Sequence, residues 1–354
     1  MSGRGTDIAA GRSGGGSHFL ALDGLRGVAA LFVVAHHVED SGFDFGLFSR
    51  GYLAVDFFFM LSGFVLSHAY DRRFAAGLDW TAFMKLRLLR LWPVMAIGVA
   101  LGVAVAWGGA VAPDLLAIRA AAALLFIPLP LATIHLFPLN GVQWSLFFEL
   151  FANALHGGPL KRVPVAALAR LLAASVLLLF VVAFLHGDLK LGHVVGGWLG
   201  GFARVLVGYI SGMLLYRLWC RVGAQAPRLD ARWVCVALVA ALVAPALSPA
   251  GWWWIDPLVV VTLFPAVLWF GATAAVSARW RGLAAASGAI SYPLYAFHLP
   301  LLELGERLGD GVGGAAAGGF RLAAALLAIA LAWWWSRADW RFLRPSPGRS
   351  LAWP

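Results

Sequence analysis

The chain has 354 residues, of which 61% are hydrophobic and only 12% charged, and its mean hydropathy is +0.82. That balance excludes an ordinary soluble domain, and the apolar runs repeatedly approach the roughly 20 residues that cross a bilayer. The net charge of +10 does not lead to nucleic acid, because the basic residues sit in short clusters between apolar runs rather than along one polar face.

In chain order, residues 1–20 form a Gly/Ser-rich polar tail with no secretory cleavage pattern, expected to be disordered and cytosolic. Ten apolar spans follow, at about 22–38, 52–70, 91–108, 142–156, 164–185, 197–218, 233–250, 257–276, 288–304 and 318–336. An eleventh stretch, Leu115 to Pro128, contains Arg119 and runs into the proline-broken PLPLATIHLFPLNG, so it is expected to be re-entrant or interfacial. Basic connections alternate with positive-poor ones, as the positive-inside rule requires: Arg72 to Arg90, Lys161 and Arg162, Arg217 to Arg232, and Arg279 with Arg281 mark one side. The expectation is therefore an all-α, polytopic transmembrane helical bundle over 21–338 with both termini cytoplasmic and a basic tail over 339–354. Cys220 and Cys235 make no CxxC and no Cys/His ligand spacing, so neither a disulfide framework nor a metal site is expected.

Ionisable residues inside hydrocarbon are costly and need a partner or a task. In the first span, Arg26 and His37 are eleven residues apart, which places them within about 20° of the same helix face and about 16 Å apart along the axis. A snorkelling arginine and a structural histidine would explain the pair equally well. Asp56 lies within the second apolar run. Arg87 and Arg90 share a face at the expected cytoplasmic boundary; two such guanidiniums can hold phosphates, although alone they read first as topological charge. The fourth span opens with Trp144 and Ser145, with Glu149 one turn deeper on the serine's face, where a carboxylate could orient a histidine, accept a substrate hydrogen bond or pair with an arginine. Near the chain's end, Ser291, Tyr295 and His298 form a polar stripe, which a purely structural hydrogen-bond network would also explain.

Taken in order, LDGLRG, the Arg26-x10-His37 spacing, GYLAVDFFFMLSGF, KLRLLRLWP, QWSLFFE and ISYPLYAFH resemble the acyltransferase-3 family of membrane-bound acyltransferases over about Leu22 to Leu302. The resemblance implies transfer of an acyl group, often acetyl from acetyl-CoA, to a hydroxyl of a glycan or other cell-surface or secreted acceptor. It makes Arg26 and His37 the essential pair and assigns Arg87 and Arg90 to the acyl-CoA. Glu149 and His298 match further family positions, with Trp144, Ser145, Ser291 and Tyr295 as supporting residues. Pro293 departs from the family pattern, and a local change in that helix is expected. The implied location is the bacterial cytoplasmic membrane.

On chemical grounds, transfer from a thioester to an alcohol needs a base. His37 is the candidate, with Glu149 or Asp56 fixing its tautomer and Arg26 aligning the donor. A transporter or flippase of a glycan or lipid-linked substrate is the alternative from another class.

Overall fold

Eleven α-helices form among the described residues, with no β-strand. The computed structural model describes residues 19–40, 46–130, 134–249, 251–310, 312 and 314–338. Residues 1–18 of the expected N-terminal tail and the whole expected tail over 339–354, including Arg341, Arg344 and Arg349, lie outside them, while Leu20, expected in the tail, opens the first helix. The helices are α1 (Leu20–Asp40), α2 (Ala54–Ala75), α3 (Trp80–Ala106), α4 (Pro113–Leu124), α5 (Gln143–Gly157), α6 (Val165–His186), α7 (Gly200–Val222), α8 (Ala231–Val243), α9 (Ile255–Thr273), α10 (Ala278–Gly309) and α11 (Gly314–Arg337). Each of the ten expected spans overlaps a helix, and α4 is the additional one. Among the described residues, seven segments, built on α1, α2, α3, α6, α7, α9 and α11, are long and apolar enough to cross a membrane. α5 and α8, at 15 and 13 residues, extend only about 22 and 20 Å at 1.5 Å per residue.

Two helices begin well before their apolar windows, for local reasons. α3 starts at Trp80 because the Asp79 side chain accepts the Ala82 N–H at 2.7 Å, a cap that lets the basic stretch through Lys85, Arg87 and Arg90 join the helix. α10 is 32 residues long and runs through both Pro293 and Pro300. The local change expected at Pro293 does not interrupt the helix. Pro300 removes the N–H that would bond Ala296 O, and the Asn140 amide donates to that carbonyl at 2.9 Å instead. α4, expected as a re-entrant or interfacial piece, is 12 residues long. Its last carbonyls are taken by side chains: Trp92 Nε1 donates to Leu124 O at 3.0 Å, and the Gln143 amide donates to Ala123 O.

α1 stands between two hydrophobic clusters. Leu22, Leu25, Ala29, Phe32 and Val33 pack into one, shared with α2 and α5 to α9, while Ala30 and Val34 pack into the other, shared with α3, α10 and α11. The glycines of LDGLRG explain how closely α10 approaches. A Cβ on Gly27 would collide with the Ser287 side chain, and one on Gly288 would collide with Asp23. Replacing Gly27 with valine is expected to push α1 away from α10, lower stability by about 1–3 kcal/mol and reduce activity. Thermal unfolding in detergent checks the first effect; unchanged unfolding would show that the helices do not need this contact.

Candidate active site

The two ends of α1 have different chemistry. At its start, Arg26 lies 3.7 Å from Asp23 and within electrostatic range of Glu149 and Arg87. α3 brings Arg87, only 4% exposed, against α5, where its Nη2 meets Glu149 Oε1 at 2.9 Å. Ser62 Oγ of α2 donates to the same carboxylate oxygen at 3.0 Å. Arg90, one turn along α3, is within electrostatic range of Arg87, Arg26 and Glu149. Three guanidiniums thus lie about two carboxylates, Glu149 and Asp23, leaving a net positive charge. Arg87 Nε is buried with no hydrogen-bond partner, a donor that an anionic ligand would satisfy.

About 16 Å along the same helix, the His37 ring sits 5.2 Å from the His298 ring of α10 and 5.2 Å from its neighbour His36, centroid to centroid. Lys190 and His193, from the α6–α7 connection, lie within electrostatic range. His298 is fully buried. Its Nδ1 donates to Leu294 O at 3.0 Å, which leaves Nε2 as the basic nitrogen, and that atom is buried without a partner. Tyr295 supports this wall: its hydroxyl lies 2.7 Å from Ser145 Oγ and donates to Val142 O at 3.2 Å, tying α10 to the start of α5. Ser291 turns back to its own helix, donating to Gly288 O at 2.7 Å.

The expected tautomer partners of His37 are committed elsewhere. Glu149 binds Arg87 and Ser62 through Oε1, at the other end of α1. Asp56 is gripped by Arg204 of α7, with Nε donating to Oδ1 at 3.0 Å and Nη2 to Oδ2 at 2.7 Å. The guanidinium also donates to Leu191 O and Tyr52 O, and it lies 5.0 Å over the ring of Trp144. Asp56 therefore serves a buried ion pair that joins α2, α7 and the α6–α7 connection. Trp144 belongs to the same assembly: Gly192, with φ of +106°, passes so close to its ring that a Cβ there would collide with it.

Several polar groups escaped the sequence reading. Arg204 carried a signal, a lone arginine within an apolar run, whose cost alone demands a partner. Asp256, wholly buried in α9, is held by Arg50 at 2.6 Å, Tyr52 at 2.6 Å and the Leu189 N–H at 3.1 Å. His156 links Asp71 at 3.1 Å to Tyr209 at 2.9 Å. The acidic partners of these clusters lie far away in sequence, so no local motif announced them.

The chain matches a family model described as an acyltransferase domain over residues 19–337. It belongs to the acyltransferase-3 family. A protein of Rhizobium radiobacter, "Protein 2 in picA locus", is 36% identical over 190 residues, which are 47% of this chain and 94% of that protein. No solved structure matches the chain. With its apolar helices, this acyltransferase-3 chain is an integral multi-pass membrane acyltransferase. Family membership leaves the transporter or flippase alternative without support.

Proposed function

We propose that the protein moves an acyl group, acetyl by family resemblance, from acyl-CoA to a hydroxyl of a glycan or other cell-surface or secreted acceptor, in the bacterial cytoplasmic membrane. The observation that carries this reading is the pairing, along one helix, of an arginine pocket at one end with two facing histidines at the other.

Arg26, Arg87 and Arg90 suit the phosphates of a CoA thioester, for which planar bidentate donors are well shaped. Glu149, which also accepts from Ser62, holds Arg87 in place. The extended pantetheine arm is long enough to follow α1 from this pocket to His37. There the acceptor hydroxyl gives its proton to the imidazole as its oxygen attacks the thioester carbon. The carbon–sulfur bond then breaks, the ester leaves, and the CoA thiolate recovers the proton. His298, with Nε2 unprotonated, offers a second basic nitrogen beside the first. This end of α1, bordered by Lys190, His193 and Trp144, receives the acceptor.

Titrating the purified protein with acetyl-CoA tests the donor assignment. The wild-type protein is expected to bind, and replacing both Arg87 and Arg90 with glutamine is expected to weaken binding at least tenfold, since one hydrogen bond to a charged group contributes about 1.5–3 kcal/mol. Equal affinity in both proteins would remove these arginines from the donor site.

A further inference from the structure

A second basic feature lies apart from Arg87 and Arg90. A cavity of about 700 Å³ opens beside the first residues of α1, lined by Arg221 at the end of α7, Arg228 in the connection to α8, and Arg281 at the start of α10. Phe19, Trp219 and the chain from Gly271 to Val276 complete its walls. Among the described residues lining it, none is acidic. Asp230, the acid nearest to Arg228 in sequence, is held by Arg232 at 2.9 Å.

The surroundings distinguish between possible anions. Leu218, Val222, Leu229 and Leu283, each within two residues in the chain of a lining residue, are exposed and offer apolar surface suited to lipid chains. Among the described lining residues there is no Asn, Gln, Asp or Glu that would read a nucleotide base, and the Thr273 hydroxyl lies within hydrogen-bond reach of the carbonyls of Pro227, Trp269 and Phe270. The cavity thus joins three arginines to neighbouring apolar residues.

We propose that this cavity holds the phosphate headgroup of an anionic phospholipid, seated between the start of α1 and the ends of α7, α9 and α10. The assignment does not depend on the acyl-CoA reading, and its test reads binding rather than acyl transfer.

Cys220 lines the cavity and is exposed, so its alkylation reports occupancy in the full chain carrying Cys235→Ser. Purified protein in detergent is treated with a maleimide in the presence of phosphatidylglycerol, phosphatidylcholine, inorganic phosphate or adenosine 3′,5′-bisphosphate. Phosphatidylglycerol alone is expected to slow labelling at least fivefold, roughly the gain from one arginine near an anionic surface. The triple variant Arg221→Gln, Arg228→Gln, Arg281→Gln is expected to lose that protection, and Arg228→Gln alone, in the connection, to lose part of it. Equal protection by phosphatidylcholine, protection that survives the triple substitution, or no protection at all would overturn the proposal. Protection by the bisphosphate instead would overturn the lipid assignment and make the cavity a nucleotide site.

Discussion

Replacing His37 with alanine is expected to lower acyl transfer by roughly 10²- to 10⁴-fold, the usual contribution of a positioned general base, while leaving the protein folded and inserted. Neighbouring apolar residues explain why the fold survives: Ala29, Ala30, Val33 and Val34 anchor this part of α1 in its two clusters, and His37 itself is only half-buried. The measurement is incorporation of labelled acetyl, with membrane yield and thermal unfolding as controls. Normal incorporation would exclude His37 as the base. Loss of incorporation with collapsed yield would assign it a structural role instead. Single-turnover labelling separates the two routes open to this histidine, because an acetyl group trapped on His37 would replace direct transfer by a two-step path.

Removing Asp56 is expected to act in the opposite way, on stability first. Its carboxylate and Arg204 are at most 1% exposed, so Asp56→Ala leaves an uncompensated buried guanidinium and is expected to cost about 3–5 kcal/mol. The double variant Asp56→Leu, Arg204→Leu is expected to recover part of that loss, because replacing both members removes the unpaired charge. Thermal unfolding of the detergent-solubilised variants checks this. If Asp56→Asn unfolds like the wild type yet loses turnover, Asp56 acts in catalysis and the ion-pair account is wrong.

These two residues show what could be read from the sequence. His37 was legible because its relation to Arg26 is local, fixed by helical geometry over eleven residues. The LDGLRG, LRLLR and SYPLYAFH runs were legible for the same reason. Asp56 was recognised as costly, but its partner lies 148 residues later, on a helix that only tertiary packing brings alongside. For Glu149 the residue types left a histidine, a substrate hydrogen bond and an arginine open as partners; the arginine is Arg87, because α3 and α5 meet at the arginine end of α1. The long starts of α3 and α10 were hidden because apolar windows register hydrophobicity, whereas helices also continue through basic or proline-containing turns when a cap or side-chain donor satisfies the backbone. His298 was on the expected stripe; that its free nitrogen faces an unpartnered interior follows only from the Leu294 hydrogen bond.

The measurement that bears most directly on the central claim is single-substrate acyl transfer by the purified protein: [¹⁴C]acetyl-CoA is supplied with surface-glycan and secreted-metabolite fractions from the host, and covalent label in the acceptor is counted. The account predicts label that survives washing, is released as acetate by mild alkali as an ester bond requires, and is absent with His37→Ala and much reduced with the Arg87→Gln, Arg90→Gln protein. Equal label in the wild-type and His37→Ala reactions would contradict it.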